Sequence, residues 1–380
     1  MASVLHPRHP ASIVLAIVSL TFGLTHAVAE SCVTQSQMQP ADRDSLAFAA
    51  RSIAASIQAN DTTTLRTMLA PELAKDPTQL VGLVASTASR IKDAQLTLEQ
   101  IYLLDASQNK STSDAEFFCS INRTAASTDF QIPGLAPGVY GFAIIQAATT
   151  QAPWRVSLLL RRNLYQNESH TQIPWSIAGL YPKPLTAAGH DGVWYWTQAR
   201  SLTAEKQTWN AYLFYQQAQA LLQPAGFVSS TNLDKLRREL TAATPPALSE
   251  GISPTVPLVV KAADSTEYRF TAIAADDSLS TPSGQLDLLV HLQLDPPPEP
   301  PAADAPKANT KPSIKPNSKT KPPTPVDPRT RNLNAIAALV AAYPELRTRF
   351  HAIWIFADAS GQNPIVTNQL VADIPHAPAH

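Results

Sequence analysis

The stretch Asp295–Pro328 sets the limits on how this chain can fold. It holds 12 of the 33 prolines and five lysines, no aromatic residue, and Ile314 and Val326 as its only branched aliphatic side chains. Such a composition buries too little apolar surface to offset the entropy of ordering it, and it favours an extended polyproline helix without packing partners. A disordered Pro/Lys-rich insertion is therefore expected at 295–328, with folded chain on both sides of it. It suits a proline-recognising partner or attachment to an anionic cell-wall polymer; as a plain spacer it needs neither.

The opposite composition marks the N-terminus. Ile13 to Leu24 (IVLAIVSLTFGL) is an apolar run of secretory-signal length, preceded by Arg8 and by no acidic group. It is short for a membrane span. Ala27 and Ala29 frame an Ala-Val-Ala cleavage signal, so a signal peptide over 1–29 and a mature start near Glu30 are expected, with 30–41 flexible. An uncleaved signal anchor and lipidation of Cys32 are the alternatives; for the latter, Ala29 and Glu30 fit a lipobox poorly. After cleavage no membrane span is expected.

Export gives the two cysteines a meaning. Cys32 and Cys119 are the only ones in the chain, and an oxidising compartment lets them pair. The competing reading is a buried free thiol at Cys119 beside a loose Cys32. Two cysteines cannot build a Cys-rich zinc module. Twenty-nine Lys and Arg against 30 Asp and Glu leave no basic field for nucleic acid. With 12 glycines the chain holds no glycine-rich phosphate loop, and it lacks His-Glu-x-x-His and Gly-x-Ser-x-Gly. No cofactor is expected.

Between signal and insertion the hydrophobic period changes twice. Leu46, Ala49, Ile53 and Ile57 fall at helical spacing, an Asn60-Asp61 turn follows, and a second helix carries Leu65, Met68 and Leu69. Leu80–Ile91 is again helical. Strands are then expected at Gln95–Asp105, Asp114–Asn122, Val139–Ala148, Trp154–Tyr165 and Ile173–Tyr181, with turns at Gln108-Asn109, Pro133-Gly134, Pro137-Gly138 and Ala152-Pro153. Helices followed by a curved antiparallel meander make an α+β plan. The opening SLAFAARSIAASIQANDTTTLRTMLAPEL and the closing IPWSIAGLYPKP make residues 42–182 resemble the NTF2-like superfamily. That resemblance implies a cone-shaped sheet wrapped around the first helix, in a domain drawn at 42–187 with Trp175, Ile177 and Leu180 facing the cone. The superfamily includes ketosteroid isomerases, small-ligand binders and modules without known chemistry.

Residues 188–245 read as a helical hairpin region, with helices at Gly192–Leu202, Ala204–Gln223 and Asn232–Leu240. Ala199, Ala211, Tyr215 and Ala218 make the first two resemble a tetratricopeptide helix pair, although Leu202 and Pro224 depart from its pattern. One such unit cannot bury its face alone, so it must pack on a neighbour. Strands at Val256–Ala262, Glu267–Ala274 and Gly284–Leu294, a helix at Arg329–Phe350, and a hairpin of His351–Ala357 and Ile365–Ala372 around Ser360-Gly361 give a C-terminal α+β domain at 252–375, with a tail at 376–380.

Candidate sites fall in two places. An acid–base isomerase in the cone would need a buried carboxylate and a hydroxyl donor to the developing oxyanion. Glu116, Asp114 and Glu99 are the strand carboxylates, and Tyr102 and Tyr140 the donors; a solvated strand face is the competing role for the carboxylates. The second place is the aromatic run holding Trp194, Trp196, Trp209 and Tyr212. It forms either the core between the hairpin and the first domain or an exposed binding surface. His190-Asp191 is too small a set for a metal and fits a helix cap; His351 stands far from the other histidines in sequence, and His376 and His380 fall in the tail. The reading that combines these points is an exported, non-catalytic module that binds an envelope protein or a small ligand. An isomerase- or hydrolase-like enzyme using the cone is the alternative.

Overall fold

The computed structural model describes residues 30–120, 127–149, 152–163, 174–277, 279, 284–294, 327–359 and 363–375. The expected signal peptide at 1–29, most of the proline-rich stretch, the expected Ser360-Gly361 turn and the tail with His376 and His380 lie outside the described residues.

The first half opens with β1 (Ser31–Thr34), α1 (Pro40–Gln58), α2 (Thr62–Thr67), α3 (Pro71–Ala74) and α4 (Thr78–Ile91). It continues with β2 (Gln95–Asp105), β3 (Ser113–Ser120), β4 (Ser127–Leu135), β5 (Val139–Ala148), β6 (Trp154–Arg162) and β7 (Trp175–Pro184). After β8 (Thr186–Ala187) and β9 (His190–Asp191) come α5 (Gly192–Ala204), α6 (Thr208–Leu222), β10 (Val228–Ser230) and α7 (Thr231–Ala242). The remainder is β11 (Leu258–Lys261), β12 (Glu267–Asp276), β13 (Leu286–Gln293), α8 (Pro328–Ala342), β14 (Phe350–Asp358) and β15 (Ile365–Leu370). The fold is mixed α+β, with three main sheets.

Strands β1-β2-β5-β6-β7 form one antiparallel sheet. On one face α1 lays down Leu46, Ala49, Ala50, Ile53 and Ile57, all fully buried against Ile101, Ala143, Ile145, Leu158 and Trp175. The i, i+3, i+4 spacing seen in the sequence is this contact. Pro40 stands in the first turn of α1, so the helix begins two residues before the domain limit expected at 42. Asn60 adopts a left-handed turn (φ 54°), and Asp61 then caps α2 by accepting from the Thr64 amide at 3.0 Å. Beyond α2, the Ala70 amide donates to Ile177 and the Ile177 amide to Met68, which covers the free edge of β7. Gly141 of β5 permits the close approach of α1: a methyl there would stand 2.8 Å from Leu46 Cδ2 and 3.1 Å from its Cγ. Gly141→Ala should therefore cost about 1–3 kcal/mol of stability, read as a lowered urea midpoint with an unchanged slope.

Two expectations for this half need correction. Residues 30–41 are not a loose lead-in. Ser31–Thr34 pairs with β2, Glu30 accepts from Asn109 Nδ2 at 2.8 Å and from the Glu116 amide, and α1 begins at Pro40. A four-residue strand held by long-range pairing leaves little periodic signal. Nor is the sheet a continuous meander. β2 pairs directly with β5, and β3 and β4 fold away into a second sheet ordered β10-β4-β3. The Pro133-Gly134 turn proves to be the end of strand β4. Gly134 sits at positive φ (61°), and Asp114 of β3 accepts its amide proton at 3.0 Å where the register slips. The second sheet covers the other face of the first through Phe117, Phe130 and Ile132 against Tyr102, Phe142 and Ile144. The Cys32–Cys119 disulfide (Cα–Cα 5.1 Å) ties β1 to β3 and so joins the two sheets. It also occupies the Cys32 sulfur that a lipid would need.

The hairpin is not a separate unit. Strands β11-β12-β13-β14-β15 form the third sheet, with β13 and β14 parallel. Leu288, Val290, Ile353 and Ile355 share one core with Leu213, Phe214 and Ala218 of α6 and Ile336 and Leu339 of α8. The core expected between hairpin and first domain is thus formed with the C-terminal sheet instead. The helix expected from Arg329 starts at Pro328, capped by Asp327, and stops before Tyr343-Pro344, because proline cannot donate to the preceding turn. Asp327 and Pro328 therefore belong to the folded chain.

Candidate functional site

The two halves meet along a cleft of about 280 Å³. Its first wall is the outer face of the β2–β5 pair and its neighbour β4, which contribute Gln100, Tyr102, Ile144 and Thr128. Its second wall is the helical region, with Val193 and Trp196 from α5, Leu222 and Pro224 from the end of α6, and Val228, Ser229, Ser230, Asn232 and Leu233 around β10. Glycine at position 192 lets the start of α5 meet the end of α6, since a methyl there would stand 2.6 Å from Leu222 Cγ and 3.1 Å from the Ala218 carbonyl oxygen. Asp191 caps α5 by accepting from the Trp194 amide at 2.7 Å, the loop role expected of it.

Two candidates assigned to different sites converge here. Tyr102 is almost wholly buried, and its hydroxyl lies 3.2 Å from Thr128 Oγ1. Burial raises its pKa; hydrogen bonds with Thr128 and Gln100 act in the opposite sense. Trp196 stands opposite, its ring held by two residues that also bind each other. Its Nε1 donates to Glu239 Oε2 at 2.7 Å, the Arg200 guanidinium lies 4.5 Å above the ring, and Arg200 grips Glu239 through Nε and Nη2. The hydrogen bond from Arg200 is the main reason that Glu239 titrates below the usual carboxylate range; burial opposes it. Gln100, Ser229, Ser230 and Asn232 add hydroxyl and amide groups, and Tyr102 is the single titratable side chain in the lining.

The other candidates lie elsewhere. Asp114 and Glu116 are exposed on the face of β3 opposite Ala115, Phe117 and Cys119. Asp114 holds the Gly134 amide, and Glu116 accepts from Gln131 Nε2 at 3.1 Å. Neither approaches Tyr102 in one pocket, so the trio does not form the carboxylate–hydroxyl set that an isomerase would need. Glu99 is also exposed, and Tyr140 donates its hydroxyl to the Ala136 carbonyl. Trp194 stacks on His190 at 3.7 Å. Trp209 is buried against Tyr343 at 4.4 Å, and Tyr212 packs on the same C-terminal core, accepting from Gln216. Of the four aromatic candidates, Trp196 alone lines the cleft.

His351 stands 3.3 Å from the buried carboxylate of Asp287, which also accepts from Trp354 Nε1 at 2.8 Å. Thr128 and the segment 228–233 were not foreseen; the alternation of Thr128, Phe130 and Ile132 was the available signal. No family model, curated protein or solved structure matches the chain.

Proposed function

We propose that the mature chain is an exported, non-catalytic binding protein of the periplasm or cell surface. In this reading its first half is an NTF2-like module, and the cleft beside Tyr102 and Trp196 holds a small ligand with an uncharged, largely apolar body. The carrying observation is the convergence of these two rings in a cleft lined by Ile144, Val193, Leu222, Pro224 and Leu233, with hydroxyl and amide groups at its rim. An apolar lining with a few placed polar groups is the usual composition of small-molecule sites. The disulfide supports export, since such bonds persist in oxidising compartments. Among the described residues no helix is long and apolar enough to cross a membrane.

Titration of the full chain with the neutral fluorophore N-phenyl-1-naphthylamine tests the reading. Saturable one-site binding is expected, weakened about tenfold or more by Trp196→Ala, the scale of an aromatic hot spot, and unaffected by Trp354→Ala. Binding that never saturates, or that ignores Trp196→Ala, overturns it.

A further inference from the structure

Resting on the cleft reading above, we infer that Arg155 and Lys183 form an anion-binding subsite at one end of the cleft. The ligand is then an amphiphile with a singly charged oxygen head group, a carboxylate or a phosphate ester, and an apolar body.

The placement follows from strand alternation. On β6, Val156 and Leu158 enter the core beneath α1, so Arg155 and Ser157 project from the opposite face, the one that the cleft borders. Ser157 is the cross-strand partner of Ile144, a lining residue, and Arg155 lies one pleat further along. Arg155 in turn is the cross-strand partner of Lys183 on β7. Arg155 Nη1 donates to the Leu221 and Leu222 carbonyls at 3.1 and 3.2 Å, and Leu222 lines the cleft. The cation pair therefore adjoins the apolar walls.

Capping the last turn of α6 accounts for one nitrogen of Arg155 and leaves the rest of the arrangement unexplained. Arg155 Nε is buried without a hydrogen-bond partner, and so is the hydroxyl of Ser157, which is fully buried. Two partly buried cations side by side are costly, because desolvation and mutual repulsion both act against their charged forms. Burial is the chief influence lowering the pKa of each, and Arg155 lowers that of Lys183 further. The carboxylate acting on Arg155 is the exposed Glu99. Among the described residues neither Arg155 nor Lys183 forms a salt bridge, so the pair lacks a direct counter-charge. An anionic head group set against Lys183 and the guanidinium of Arg155 satisfies that deficit, while its chain lies along Ile144 and Leu222.

The test is calorimetric titration of the full chain with octanoate, octyl phosphate and octan-1-ol, on the native sequence and on Lys183→Met. Lys183 was chosen because Arg155 also holds α6, and octan-1-ol reports whether the cleft survives the substitution. The anions should bind more tightly than the alcohol. Lys183→Met should weaken the anions about tenfold, the scale of one charge-assisted hydrogen bond, and leave the alcohol unchanged. Whichever anion binds more tightly names the head group. Equal binding of all three, or an equal loss for all three in Lys183→Met, overturns the subsite and leaves the cleft reading in place. Binding of none of them overturns both.

Discussion

Removing the Cys32–Cys119 bridge, as Cys32→Ser with Cys119→Ala, lowers the thermal midpoint by about 7 °C. The bond joins residues 87 apart in sequence, and constraining a loop of that size in the unfolded chain contributes about 4.5 kcal/mol in the chain-entropy model. Local consequences add to this. β1 is an edge strand of four residues, and its neighbour Glu30 holds Asn109 and the Glu116 amide. Without the bridge these contacts must close against the full entropy of a segment tied to the fold only through α1. Hydrogen exchange at Val33 and Thr34 should consequently accelerate more than exchange in β5. A midpoint that moves by only a degree or two, with β1 still protected, would show that pairing with β2 alone holds Ser31–Thr34 in place.

Phe130→Ala has an expected effect of similar size through a different mechanism. Phe130 is fully buried between the first and second sheets, its ring edge-on to Tyr102 at 5.1 Å and to Phe142 at 5.3 Å. Truncation leaves a cavity where two sheets meet, and neither sheet can move in to close it while the disulfide and the β10–β4 pairing hold their spacing. A loss of about 3–5 kcal/mol follows. Because Tyr102 rests on this ring, the cleft loses its floor, and binding of N-phenyl-1-naphthylamine should fall in parallel. Phe118→Ala is the control. That side chain sits on β3, 63% exposed on the outward face, and its removal should change stability by no more than about 0.5 kcal/mol. Comparable losses from both variants would contradict the assigned faces of the second sheet.

What could be read in advance follows the range of the interactions. β2 and β5 end where the alternating pattern ends, at Gln95, Asp105, Val139 and Ala148, because their limits are set by local turn chemistry. The α1 stripe and the Asp191 cap are legible for the same reason. β4 was missed because Pro133-Gly134 is turn chemistry that the structure uses as a bulge, stabilised from another strand by Asp114. Trp196 and Tyr102 were each identified, but in separate sites. Their meeting depends on the segment after Pro224 returning to β4, and no periodicity encodes such a return. Trp209 and Tyr212 look like binding aromatics in isolation. Their burial depends on Tyr343 and the C-terminal sheet, more than a hundred residues downstream.

The pairing of β10 with β4 sets a schedule. Val228 to Ser230 complete the second sheet, yet they follow β7 and the whole α5–α6 hairpin in the chain. A polypeptide that emerges N-terminus first therefore presents the edge of β4 as an unpaired strand until α6 has appeared. Ala225, Phe227 and Val228 then arrive together: Phe227 sets its ring against Phe142 and Tyr181, and its carbonyl accepts from the Gln131 amide. Until that moment the first half has a vacancy in its aromatic core. Under the export proposed above, the chain passes that interval beyond the membrane, where an envelope chaperone has its best opportunity to hold it.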